Sequence, residues 1–176
     1  MWVGYIEFDD ETGEVIGADY SGLEVPTTYG LQFNSNYKYR GEWNCDMKFI
    51  TNTSEMFNGC TNLTSFNGDL SSLTNGVSMF NGCSNLTSFN GDLSSLTDGY
   101  SMFSSCKLDK DSVIRIITCL RESNTCSSSE QLTIGVDKQY QNDPELLEVL
   151  GITSWTSSVT LVGHGGGTWA ITLEAN

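Results

Sequence analysis

Apolar residues recur along this chain in columns 23 residues apart. With that shift SEMFNGCTNLTSFNGDLSSLTNG, residues 54–76, aligns with VSMFNGCSNLTSFNGDLSSLTDG, residues 77–99, and YSMFSSC opens a third copy that breaks off at Lys107-Leu108. The columns are Met56, Met79 and Met102; Phe57, Phe80 and Phe103; Cys60, Cys83 and Cys106. Leu63 with Leu86, Phe66 with Phe89, Leu70 with Leu93 and Leu73 with Leu96 complete them. A fixed period of this length marks one supersecondary unit used several times, each copy burying its columns against its neighbours. Trp43, Met47 and Ile50 stand 23 residues before Phe66, Leu70 and Leu73, so a degenerate opening copy starts near Glu42.

Within a copy, Met and Phe followed by Asn-Gly-Cys suit a short helical turn, and Leu63 to Phe66 suits a strand whose apolar residues point inward. Strands stacked at sheet spacing then align Thr64 with Thr87, Ser65 with Ser88, Asn67 with Asn90 and Asp69 with Asp92. Upstream, Trp2 to Phe8 alternates apolar and polar, Asp9 to Gly13 supplies turn residues and Glu14 to Tyr20 is a second extended run, which together predict a β-hairpin. Ser21 to Arg40 is rich in Gly, Ser, Asn and Tyr and reads as irregular.

Downstream of the third copy, Asp109 is placed to cap a helix whose Val113, Ile116, Ile117 and Leu120 recur at i, i+3, i+4 and i+7. Asn124 to Ser129 is a loop, and Leu132, Ile134 and Val136 alternate as a strand. Asp143-Pro144-Glu145 starts a second helix that Gly151 ends. Trp155 to Val162 and Thr168 to Leu173 are extended runs joined by Gly163-His164-Gly165-Gly166-Gly167.

The motif C-x-x-L-T-S-F preceded by M-F-x-G, as in Met56 to Phe66, resembles the BspA-like leucine-rich-repeat family of bacterial surface proteins. The resemblance covers about a third of the chain closely, and the order of elements after the repeats is similar to the closing segment of such proteins. It implies an α/β repeat solenoid: a short leucine-rich-repeat stack over residues 42–108, an N-terminal β-hairpin and cap over 1–41, and a helix-strand-helix-hairpin C-terminal cap over 109–176. It also implies an extracellular or cell-surface binding or adhesion module that brings no catalytic residues with it. An alternative expectation is a structural or host-recognition component of a bacteriophage virion, such as a tail or head fibre.

Charge narrows the partners. The chain carries 22 Asp and Glu against 8 Lys and Arg, a net charge of −14. Nucleic acid and anionic membranes are disfavoured, because phosphate contacts need clustered cations. Residues 54–106 contain no Lys or Arg at all, so whatever face the repeats present is built from short polar groups. The start, MWVGYIEFDD, has neither the basic residues nor the apolar run of a secretory signal, and no stretch approaches a membrane span. Either a leader has been removed or the protein is assembled without one, and an oligomer or larger assembly fits the second case.

The candidate binding residues are accordingly Thr64, Ser65, Asn67 and Asp69 with their counterparts Thr87, Ser88, Asn90 and Asp92, and Tyr100 at the edge of the strip. The ligand is expected to be a protein or a surface glycan, without cofactor or metal. Asn67 and Asn90 have a competing structural role, satisfying loop backbone groups. His164 in H-G-G-G is similar to an oxyanion loop, yet no G-x-S-x-G elbow accompanies it, and a glycine-rich hairpin turn is the simpler reading. Cys60, Cys83 and Cys106 read as a reduced, buried column rather than a metal site, since no C-x-x-C pair exists. Cys119 and Cys126 stand where a bridge would join a helix end to the following loop in an exported protein.

Overall fold

In a computed structural model, residues 5–8, 15–19, 41–43, 47–123, 129–162 and 168–176 of the chain are described. Tyr5–Phe8 (β1) and Val15–Asp19 (β2) pair antiparallel, which places the predicted hairpin strands inside their expected runs. Gly41–Trp43 (β3), Leu63–Phe66 (β4) and Ser88–Phe89 (β5) form a parallel sheet in that order, with Trp43 opposite Phe66 and Phe66 opposite Phe89. The opening copy thus has the register that its 23-residue offset predicts.

The third copy departs from the pattern. Residues Gly99–Leu108 form one ten-residue strand (β6), which is an edge of a four-stranded mixed sheet. Helix Lys110–Glu122 (α1) follows, then Ser129–Val136 (β7), a 3₁₀ turn at Lys138–Tyr140, helix Pro144–Leu150 (α2), and the antiparallel pair Ser158–Val162 (β8) and Thr168–Ala175 (β9). The strand order is β6-β7-β9-β8, and β7 runs parallel to both β6 and β9. Parallel neighbours need crossover connections, and the chain segments containing α1 and α2 supply them.

This architecture corrects the expected fold class. The chain is a small mixed α/β domain, not an α/β repeat solenoid closed by two caps. The largest sheet is built from the segment assigned to a cap together with the third copy. The Met-Phe-x-x-Cys stretch is a series of turns rather than a short helix. Its backbone groups alternate between local turns, as Asn58 N to Glu55 O (3.1 Å), and the next copy, as Phe57 N to Met79 O (2.9 Å). A continuous helical turn would have kept those N–H groups for its own carbonyls.

Both helices begin, and α2 ends, as their signals require. The Asp109 side chain accepts from Ser112 N at 2.8 Å, and Val113, Ile116, Ile117 and Leu120 are buried. Asp143 accepts from Glu145 N and Leu146 N, Pro144 opens α2, and Gly151 closes it at φ 74°. Helix α1 packs over β5, β7, β8 and α2, so one core runs from Met47 to Leu173.

Strand β6 joins the repeats to the mixed sheet because it is paired on both sides. Its carbonyls accept from the second copy, Phe80 N to Met102 O (2.9 Å) and Gly82 N to Ser104 O (2.9 Å), while β7 lies along its other edge. The approach of β7 is close at Gly135. A Cβ there would fall 2.6 Å from Cys106 N and nearer still to Cys106 O, and backbone cannot swing aside as a side-chain tip does. We predict that Gly135→Ala destabilises the domain by about 1–3 kcal/mol, the usual cost of overpacking. Urea denaturation measures this, and a wild-type midpoint would show that β6 and β7 are farther apart.

Candidate functional site

Strand β4 is the middle of its sheet, and its burial runs buried, exposed, half-buried, buried, without strict alternation. Leu63 and Phe66 are buried and Thr64 is exposed; in the next copy Leu86 and Phe89 are buried and Thr87 is exposed. Asn67, Asn90 and Asp69 are exposed and Asp92 is half-buried, so Thr64 with Thr87 and, past the strand ends, Asn67 with Asn90 and Asp69 with Asp92 form equivalent pairs. Thr87 N donates to Thr64 O at 3.0 Å, which fixes the spacing of the first pair. The column ends on the third copy, where Asp109 N donates to Thr87 O at 2.8 Å just before α1 begins.

Ser65 and Tyr100 do not join this strip as expected. Ser65 is only half-exposed, and its hydroxyl oxygen is buried with no hydrogen-bond partner among the described residues. It lies opposite Glu42 on one side and Ser88 on the other, and two flanking strands cover what one would leave open. Tyr100 is 56% exposed but sits on β6, in the column of Ser54 and Val77, with its carbonyl accepting from Ser78 N. That column belongs to the turns of the repeat, not to the strand ends.

The aspartates carry structure as well as charge. Asp69 Oδ1 accepts from Ser71 N (2.9 Å) and Asp92 Oδ1 from Ser94 N (2.8 Å), each closing an Asx turn with one oxygen. A second column does the same: Asn52, Asn75 and Asp98 accept from Ser54 N, Val77 N and Tyr100 N, and these three residues also bridge to one another in parallel register. The 23-residue spacing contained this column, yet it escaped the sequence reading because Asn and Asp serve turns and ligands alike.

Each copy is also tied to the one before by side chains. Thr74 and Thr97 hydroxyls donate to Thr51 O and Thr74 O, both at 3.0 Å, and Asn85 Nδ2 donates to Thr61 O at 2.7 Å. In the core, Cys83 Sγ donates to Phe57 O (3.0 Å) and Cys106 Sγ to Phe80 O (3.2 Å). Burial pushes the Cys60 thiol up to about 12 and raises Cys83 and Cys106 as well. A protonated thiol is a weak donor and a poor metal ligand, so this column is packing. Cys119 is a half-buried free thiol, whereas Cys126 and the His164 loop lie outside the described residues.

Beside Asp92 the surface opens into a shallow groove of about 760 Å³ between the second copy and α1. Asp111, Glu122 and Glu145 add carboxylates to it, and Arg115, whose Nε donates to Gly91 O at 3.2 Å, is the cation on its wall. Among the described residues no three His, Cys, Asp or Glu side chains converge as metal ligands, and no helix is long and apolar enough to cross a membrane. The chain matches no family model, no curated protein and no solved structure.

Proposed function

We propose that the protein is a non-catalytic interaction module, akin in its repeat unit to BspA-like surface proteins, which binds a surface glycan or protein through the strip at the strand ends. The observation that carries this reading is the pair of exposed rows Thr64 with Thr87 and Asn67 with Asn90, set out identically on adjacent strands in a segment that lacks Lys and Arg. Short hydroxyl and amide groups form hydrogen bonds while losing little side-chain entropy, and long cations would lose more. Rows of equal groups suit a ligand that itself repeats, as a glycan chain or an extended peptide does.

The buried hydroxyl of Ser65 decides where to test it. An arginine at Ser65 would bury a guanidinium, and the loss of folding would mask any loss of binding. Thr87→Arg with Asn90→Arg instead places two cations on exposed positions. The double variant should melt with wild type and lose at least about tenfold in affinity for whatever a glycan array or a surface-protein panel detects. Unchanged affinity would take the site away from this strip.

A further inference from the structure

No described residue pairs with the outer edge of the mixed sheet. Among the described residues β8 pairs with β9 alone. In an antiparallel pair the residues alternate between those bonded to the partner and those whose N–H and C=O point away. Leu173 N donates to Ser157 O at 2.9 Å, which makes Ser157 opposite Leu173 a bonded pair. Val159 and Leu161 follow in the same phase, so Ser158, Thr160 and Val162 turn their backbone groups outward. Their side chains are exposed too, Val162 at 66%.

Proteins normally guard such an edge with a charge, a proline or a bulge. Strand β8, Ser-Val-Thr-Leu-Val, has none of these and pairs with β9 in unbroken register. The surroundings are equally bare. Between Glu148 and Glu174 the chain carries no Asp, Glu, Lys or Arg, although it bears a net charge of −14 overall. Two copies of so acidic a chain repel each other over most of their surface, and the β8–β9 hairpin is where they meet without that cost. Charge depletion is also what distinguishes the core of an interface from its rim.

We infer that the partner of this edge is a second copy of the chain, with β8 pairing antiparallel to its symmetry mate about a two-fold axis at Thr160. In that register Thr160 faces Thr160 of the other copy, and Ser158 faces its Val162. All three outward residues on each side are then bonded, and the two four-stranded sheets become one sheet of twice the width. Extended β8–β8 contact is isologous, so it closes at a dimer and leaves no further free edge of this kind. The exposed Val162 is covered at the rim of the same contact.

Sedimentation velocity of the full chain over rising concentration tests this. Wild type should pass from monomer to dimer, and added salt should favour the dimer, because it screens the repulsion between two acidic copies while no ion pair holds the contact together. Thr160→Pro removes an N–H that points to the partner and leaves the β8–β9 ladder its own bonds, since proline is tolerated on an edge. Thr160→Lys places two like charges directly opposite each other on the two-fold axis. Each variant should keep the wild-type melting temperature of the monomer and raise the dimer dissociation constant at least about tenfold. A wild type that stays monomeric up to about 1 mM, a range that still detects contacts of only about 4 kcal/mol, overturns the inference. So does a dimer that Thr160→Lys leaves intact, because its interface then lies elsewhere.

Discussion

Phe80→Ala is expected to lower the stability of the domain by about 3–5 kcal/mol, enough to leave much of the chain unfolded at ambient temperature. Phe80 is fully buried and sits at the crossing of two rows of rings. It stacks on Phe57 at 5.6 Å and on Phe103 at 5.4 Å, and meets Phe66 and Phe89 edge-to-face at 5.0 and 5.8 Å. Ring pairs in these geometries add about 0.5–1.5 kcal/mol each beyond the area that they bury. The neighbouring backbones cannot close over the vacancy, because Phe80 N is already bonded to Met102 O and Cys106 Sγ to Phe80 O. Phe49, 47% exposed, is the control: Phe49→Ala should cost under about 0.5 kcal/mol. Equal melting temperatures for the two variants would mean that the ring rows do not carry the core.

Those rows were legible from the spacing of Phe57, Phe66, Phe80, Phe89 and Phe103, because a period repeated without insertion leaves one register. The two helices were legible from single residues, Asp109 and Asp143 at their starts and Gly151 at an end. What the spacing did not contain is the neighbour of the third copy. Tyr-Ser-Met-Phe-Ser-Ser-Cys reads like the two copies before it, and those form turns. It becomes the strand β6 because β7 supplies a second pairing partner from 28 to 33 residues downstream, from Gly99 opposite Leu132 to Leu108 opposite Val136. That is a tertiary override of a local pattern, and its local trace is Ser104-Ser105 in place of the Asn-Gly of the first two copies.

Backbone conformation was legible in part. Gly59 and Gly82 form a column at φ 74° and 78°, a left-handed region that glycine enters without strain, and the third member of the column is Ser105 at φ 62°. Its amide is held there by Glu174 Oε2 at 2.8 Å, a partner from the end of the chain. The candidate strip divides the same way. Reading Leu63 to Phe66 as a strand with its apolar residues inward predicted Leu63 inward and Thr64 outward, but burial of the Ser65 hydroxyl follows from the strand on either side of β4, and sheet position is a property of the whole fold.

Raising the pH from 9 to 10 is expected to remove about 3 kcal/mol of stability, through Cys60, Cys83 and Cys106 together. Free thiols ionise near the ordinary value of 9.0, and burial holds Cys60 up to about 12. Burial is also the main reason that Cys83 and Cys106 are raised. The nearby Cys106 and Cys60 add to it at Cys83, and the Glu174 carboxylate adds to it at Cys106. Above pH 9 the unfolded chain therefore loses protons that the folded chain keeps. Stability is fully present below pH 9 and falls as the pH rises toward 12, the slope approaching about 1.4 kcal/mol per pH unit for each thiol. Urea denaturation between pH 8 and 10.5 gives the curve. Cys83→Ala should start lower, because it leaves a small cavity, but its curve should be flatter by about a third, since one of three ionising groups is gone. Identical slopes for the two proteins would place the cysteine column nearer to water.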